Sequence, residues 1–410
     1  MKYETIQSKS LFSKHMEADP WFHIHRSLNP YRGCEHACAY CDGMSEYYHV
    51  DNFASHIRIK ENAPDILRRE LQNLGYLSQS SIDSETLIPF MDSQSASEAL
   101  EKRKRKIVIG VSGGVSDAYQ PAEEKHEVTK RILEVLLDFE MPVFILTKSD
   151  LVLRDLDLLE QIHEKAFANV SFTITLTDKE KQQIFEPKAS TTEERFDALC
   201  QVRKAGLYGG VMASPIIPGI GDDEENMINL AKIAKEVDAQ YIQFAGMTLK
   251  PGRQKQHFMR VLRNHYPDDV ELIKRVYADD NRYGHPIRDE FPINVMMRGH
   301  RICKEIGIRD ISIRHQLPSE PDANHRVLST LLEIIMRQRW YLGLPKSRSA
   351  SYHDLARRID TGLPDLSKLR KNRKLKDELA IGDELIQIVE EILDTDSCSL
   401  LKEINDNISF

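Results

Sequence analysis

Residues 29–41 read NPYRGCEHACAYC, and they put three cysteines, Cys34, Cys38 and Cys41, within eight positions. The spacing is C-x3-C-x2-C, and no fourth cysteine follows nearby. Thiolates are soft ligands that select iron–sulfur clusters, zinc or copper(I). Three of them from one loop serve three irons of a cubane and leave the fourth open, and an open iron is a place for chemistry. The alternative is a structural zinc site completed by a histidine, with His23, His25, His36 and His49 as candidates. Zinc ligands usually come as two spaced pairs, and this chain has no second pair.

The rest of the chain bounds the setting. Its 410 residues, 41% hydrophobic and 29% charged, are those of a globular protein with one large or two ordinary domains. No stretch approaches the roughly 20 apolar residues that cross a bilayer, and the N-terminal MKYETIQSKSLFSKHMEADP has no secretory apolar segment. Cys200, Cys303 and Cys398 are scattered, so the six cysteines make no disulfide framework. A reducing, cytoplasmic location is the expectation. The net charge of −8 excludes a protein that is basic all over. Residues 337–376 nevertheless carry twelve Lys/Arg against three Asp, with Trp340, Tyr341 and Tyr352 interleaved. Such a segment tracks phosphates and stacks bases, or it is a solvated helical face offset by the acidic residues around 377–396.

After the cysteine loop, apolar runs alternate with amphipathic stretches. Strand candidates are IVIGVS (107–112), VFILT (143–147), VSFTITL (170–176), LYGGVMASPI (207–216) and YIQFAGM (241–247), with RSLNPY leading into the loop. Their nearly unbroken apolar character is that of parallel strands covered by helices. Helix candidates are 62–71, 128–139, 151–166, 192–206 and 224–237. Six strand–helix units in series read as an α/β parallel barrel, complete or partial, over about residues 20–250. The expected organisation is an N-terminal tail (1–19), a core (20–315) with a Ser-rich and charged flexible insertion (77–106), and a helical C-terminal region (320–410).

The cysteine loop resembles the signature of radical S-adenosylmethionine (SAM) enzymes. The wider sequence is similar to their spore photoproduct lyase-like branch through SDAYQPAE (116–123), LTKSDLVLRDLDLL (146–159) and SPIIPGIGDDE (214–224). The resemblance covers about residues 20–315. It implies a partial (βα)6 TIM-type barrel whose Cys34, Cys38 and Cys41 hold one 4Fe–4S cluster. SAM would chelate the open iron and, given one electron from a donor such as flavodoxin or ferredoxin, yield a 5′-deoxyadenosyl radical. That radical would abstract hydrogen from a substrate, nucleic acid being the leading class and a peptide or small metabolite the alternative. A non-catalytic, zinc-stabilised nucleic-acid-binding protein is the reading from another class.

The same resemblance suggests the SAM contacts. Tyr40 would lie against the adenine, and Ser112, Gly113 and Gly114 would take the amino group through their backbone. Lys148, followed by Ser149 at the end of the third strand, would pair with the carboxylate. Thr173 and Thr175 would reach the ribose or fill the barrel, Ile217 of PIIPG would touch the adenine, and Gln243 would bond the adenine or substrate. Asp117 and Glu123 would orient polar ligands or cap a helix. Two departures stand out. Asp42 occupies the place where relatives carry an aromatic, and no cysteine matches the one that returns hydrogen to the product radical in spore photoproduct lyase.

Overall fold

The computed structural model describes residues 1–13, 17–83, 106–111, 115–286, 290–362 and 364–408. Nine strands are described: β1 (Lys2–Ile6), β2 (Arg26–Leu28), β3 (Tyr31–Arg32), β4 (His56–Lys60), β5 (Ile109–Val111), β6 (Val143–Thr147), β7 (Ala168–Thr173), β8 (Val211–Ile216) and β9 (Ile242–Gly246). Six of them form one sheet in the order β2-β5-β6-β7-β8-β9. Every neighbouring pair in it is parallel. A sheet of parallel strands taken in chain order, with a helix returning between each pair, is the partial barrel expected from the apolar runs.

The crossover helices are α1 (Ala63–Asn73), α2 (Val128–Asp138), α3 (Leu156–Lys165), α4 (Thr192–Lys204) and α5 (Glu224–Glu236). Their apolar faces share one core with Val170, Phe172, Val211, Ala213, Ile242 and Phe244. The alternate residues of those strands turn the other way. Ser171, Thr173, Met212 and Gln243 therefore face the barrel interior, with Met212 and Gln243 side by side in register. The α4 start is set locally: Thr191 caps the Glu194 amide, and the Glu194 carboxylate returns to the Thr191 amide.

The structure trims several expected elements. The 170–176 strand runs 168–173, and the 207–216 strand starts at Val211, preceded by Gly209 and Gly210, which lie so close to Val170 and Tyr241 that neither has room for a side chain. The 151–166 helix opens with a 3-10 segment at Asp150–Asp155. Residues 1–19, expected as a tail, contribute β1, which pairs parallel with β4. β4 also pairs with β3 in a three-stranded sheet beside the cysteine loop. Most of the expected insertion at 77–106 lies outside the described residues.

Beyond β9 come α6 (Arg253–His265) and α7 (Glu290–Ile306), then α8 (Asp322–Met336), α9 (Ala350–Thr361), α10 (Asp383–Thr395) and α11 (Ser399–Ile408). The last four, helical as expected, build a second apolar core. Met296 of α7, Ile311 and Ala18 belong to that core, so it is packed on the barrel. Among the described residues no helix is long and apolar enough to cross a membrane.

Candidate active site

The cysteine loop is held by backbone geometry and by the 116–123 stretch. Gly33 has φ +88°, and a Cβ there would stand 2.7 Å from the Phe53 carbonyl, so only glycine fits. Gln120 clasps the loop: its amide nitrogen donates to the Gly33 carbonyl at 3.1 Å, and its carbonyl accepts the Glu35 amide at 3.0 Å. Asp117 accepts from the Thr147 hydroxyl at 2.7 Å and the Lys148 amide at 2.8 Å. His36 Nε2 lies 3.3 Å from the same carboxylate. Burial pushes the Asp117 carboxyl up, but His36, Thr147 and the Tyr119 amide outweigh it and bring it down to about 2. Glu123, fully buried, accepts from the Tyr31 hydroxyl and from the Thr129 amide at 2.9 Å. Of the two roles expected for these carboxylates, Glu123 has the helix cap and Asp117 holds the end of β6 against the loop.

Cys38 and Cys41 open onto a cavity of about 620 Å³ inside the barrel. Tyr40, Asp42, Lys148 and Thr173 line it with them. The Lys148 ammonium stands 5.7 Å from the Tyr40 ring centroid. Among the described residues no carboxylate lies within ion-pair distance of it, so the ammonium lines the cavity with only the more distant charge of Glu186 acting on it. The Tyr40 hydroxyl donates to Glu186, which Arg195 holds at 2.5 Å. Arg195 also donates to the Thr173 carbonyl at 2.7 Å. Glu186 and Arg195 are fully buried, so their pairing has little solvent to screen it. Burial and the neighbouring Glu186 carboxylate raise the Tyr40 phenol far above its ordinary range. Burial pushes Glu186 up, but Arg195 and Lys148 pull it below the usual carboxylate range. A protonated phenol on an ionised carboxylate therefore fixes the ring under Lys148.

The donor set fits an iron–sulfur cluster with SAM beside it. All three cysteines are free. Burial raises each thiol, Cys41 to about 11 and Cys34 and Cys38 further. Only a bound metal would hold such groups as thiolates at neutral pH. The zinc alternative fits less well. Among the described residues no three His, Cys, Asp or Glu side chains gather as a single ion requires. His25 is taken by Asp360 at 3.0 Å, and His36 Nδ1 lies 3.0 Å from the Lys188 carbonyl.

The sequence-derived contacts divide. Tyr40, Lys148 and Thr173 converge on the cavity with Cys38 and Cys41, while Cys34 is buried beneath against Val50 and Phe53. Ser149 instead caps the following turn through the Leu151 amide at 3.2 Å. Thr175 is buried with its hydroxyl 3.4 Å from Glu186. Ile217 sits in the apolar cluster behind Cys38 and Tyr40. Gln243 is fully buried and accepts from the Ser312 amide at 3.2 Å. None of these four lines the cavity. Ser112, Gly113 and Gly114 lie outside the described residues. Of the other cysteines, Cys303 points its sulfur at the Ile242 carbonyl 3.8 Å away, and Cys398 is in the C-terminal core.

Several lining residues carried no signal in the sequence. Trp21 comes from the segment entering β2, Arg26 and Ser27 belong to β2 itself, and Met247 and Thr248 follow β9. Asp42, noticed only as a departure, receives Lys250 at 2.5 Å on both oxygens and the Tyr48 hydroxyl at 2.5 Å.

Residues 28–231 match the model of the Radical SAM superfamily. An uncharacterized protein of Methanocaldococcus jannaschii is 29% identical over 257 residues, 61% of this chain and 80% of that protein. One of Mycobacterium tuberculosis is 25% identical over 256 residues, 61% of this chain and 66% of that protein. Among solved structures, a spore photoproduct lyase variant with bound AdoMet and dinucleoside spore photoproduct is similar at a TM-score of 0.50 and 19% identity. The match covers 74% of this chain and 78% of that one.

Proposed function

Because this chain belongs to the radical SAM superfamily, we propose that Cys34, Cys38 and Cys41 hold a 4Fe–4S cluster at the end of its cavity and that SAM binds beside it. Membership of the superfamily implies both cofactors. The observation that carries the finer reading is the cavity itself: two of the three loop thiols line it together with a lysine that has no carboxylate within ion-pair distance among the described residues. When bound and reduced by a flavodoxin- or ferredoxin-type donor, the pair supplies cleavage of SAM to methionine and a 5′-deoxyadenosyl radical that takes hydrogen from the substrate.

The chain's residues do the positioning. Lys148 supplies the charge for the SAM carboxylate, and Tyr40, locked by Glu186, presents its ring beside it. Gln120 and Asp117 keep the loop and the end of β6 in one fixed relation, so thiols and lysine face the same space. Met212, Met247 and Phe144 make the wall apolar, which excludes water from a reactive centre.

For substrate we take a nucleotide within nucleic acid. The structurally similar lyase holds a dinucleoside, and a basic, aromatic segment follows the barrel here. The chemistry is not a copy of that lyase's, because no thiol except Cys38 and Cys41 lines the cavity among the described residues. Anaerobic reconstitution with iron and sulfide analysis, and EPR of the reduced protein with and without SAM, tests the cofactor reading. About four irons per chain and a spectrum altered by SAM are expected. Stoichiometric zinc with no SAM response would sink it.

A further inference from the structure

The chain has two tryptophans, and they touch. Trp21 lines the cavity, and the Trp340 ring meets it edge-on with centroids 5.3 Å apart. Both are half-buried. The Arg339 guanidinium lies 4.2 Å over Trp340. Trp340 belongs to a π-turn, Arg337–Tyr341, that ends α8; such wide turns recur at functional sites.

The basic segment around it sorts into two sets. Arg337 is buried and pairs with Asp310 at 2.5 and 2.7 Å, while Tyr341 and Tyr352 are buried in the C-terminal core. Arg357, Arg370 and Lys376 are paired with acids on their own region. Arg339, Lys346 and Arg348 pair with no carboxylate among the described residues, and all three cluster near the π-turn. Inside the cavity Arg26 donates to the Ser13 carbonyl at 2.9 Å and likewise has no acidic partner there. A row of cation, indole, indole and cation thus leads from the surface of the C-terminal region into the cavity.

We infer that this row is the entry track for single-stranded nucleic acid. The inference rests on the nucleotide reading above and assigns the surface that reads it. One nucleotide turns into the cavity beside the cofactors, because the reacting atom must come to the wall that Cys38, Cys41 and Lys148 line and a base inside a duplex cannot reach it. The neighbouring base stacks on Trp340 and Trp21, and the phosphates run past Arg339 and Arg26. Base–aromatic stacking tolerates any sequence, because every base has a π-face. Arg339 already lies over the Trp340 ring and adds charge beside it, so a base stacks on indole surface that the guanidinium leaves open.

The two tryptophans make the test direct, because all indole emission comes from the proposed track. Reconstituted holoprotein is titrated with fluorescein-labelled 12-mers: single-stranded DNA, single-stranded RNA and a DNA duplex. Anisotropy gives affinity, and intrinsic emission gives location. A single strand is expected to bind more tightly than the duplex and to quench the emission. Trp340→Ala should weaken binding about 10- to 100-fold, and Trp340→Phe should keep most of it. Arg339→Gln, which removes the charge over Trp340 and keeps a polar side chain there, should lower the slope of log affinity against log salt by about one. If a strand binds with emission unchanged and both Trp340→Ala and Arg339→Gln match wild type, the track is wrong while the nucleotide reading survives. If holoprotein that still cleaves SAM binds no strand at all, both are overturned. Tighter binding of the duplex would overturn the single-strand assignment.

Discussion

Asp360, in α9, accepts a hydrogen bond from His25 Nε2 at 3.0 Å, 335 residues away in the chain. Its other oxygen accepts the Ala18 amide at 3.1 Å. His25 in turn accepts the Val108 amide at 3.0 Å, at the edge of β5. Between Ala18 and His25 runs the segment that supplies Asp19, Trp21, Phe22 and Ile24 to the cavity wall. The C-terminal region therefore holds one side of the candidate active site, and the wall depends on a carboxylate far outside the barrel.

Asp360→Ala removes that tie and leaves a buried imidazole and a buried amide without their acceptor. A loss of about 2–3 kcal/mol in stability is expected, read as a lower denaturation midpoint. SAM affinity should fall as the wall loosens. A variant with wild-type midpoint and wild-type SAM binding would show that the wall stands without the tie. The normal tie is also acid-sensitive. Burial pushes the Asp360 carboxyl up, but His25 and the Ala18 amide hold it net below its ordinary value. Its stabilisation is complete above the unfolded carboxylate range and is lost as pH falls through the lowered folded value.

Lys148→Ala should weaken SAM binding by about tenfold or more, an unscreened charge pair in a partly closed cavity being worth at least 1.4 kcal/mol. The iron content should not change, since Lys148 reaches no cysteine of the loop by a hydrogen bond. Calorimetric or equilibrium-dialysis affinity with parallel iron analysis checks both halves. Unaltered SAM affinity would remove the carboxylate role.

Glu186→Gln keeps the shape but removes the charge opposite Arg195, a buried ion that then lacks its partner. Breaking one side of such a pair costs about 3–5 kcal/mol. The expected signature is a large drop in denaturation midpoint together with a changed EPR response to SAM, because the Tyr40 ring loses its anchor. Glu186→Asp should recover part of both. A lowered midpoint with an unchanged spectral response would confine Glu186 to stability.

Cys38→Ala should abolish cluster assembly, whereas Cys200→Ala and Cys303→Ala should leave iron and sulfide counts at the wild-type level. Retention of full iron in Cys38→Ala would refute the ligand assignment.

Acid should destabilise the barrel well before the carboxylates titrate. Burial lowers His23 to about 3 and His315 to about 2. Between those values and the ordinary histidine value near 6.5, the unfolded chain takes up protons that the folded one refuses. Stability then falls as pH drops below about 6.5, with a limiting slope of about 1.4 kcal/mol per pH unit for each histidine. His23→Gln should flatten the dependence of the denaturation midpoint on pH between 6.5 and 4. An unchanged slope would mean that His23 is charged in the folded protein.

The layout of the barrel was legible because its signals are local. β6 begins and ends where VFILT does, and the helices between strands carry their own apolar stripes and caps. The cysteine spacing announced the loop, since three soft ligands within eight residues are a property of adjacent positions, whereas the positive φ of Gly33 came to light only in the structure. Strand ends were less legible, because the close approach of Gly209 to the Val170 carbonyl and of Gly210 to the Tyr241 ring involves residues far off in the chain.

The site was legible only where chemistry and position coincide. Cys34, Cys38, Cys41, Tyr40 and Lys148 lie in or beside motifs. Glu186, Arg195 and Lys250 look like any surface charge until the fold buries the first pair and turns the third onto Asp42. Likewise nothing in residues 18–25 or in α9 foretold that Asp360 would brace the cavity wall, or that the two tryptophans, 319 positions apart in number, would meet. By itself the sequence determined the candidate ligands, the alternation of strands and helices and the parallel sheet, because these depend on residue type and on periods of two and 3.6. Tertiary structure decided which charges are partnered, which thiols face a cavity and what forms its wall, because burial and pairing are set by residues far apart along the chain.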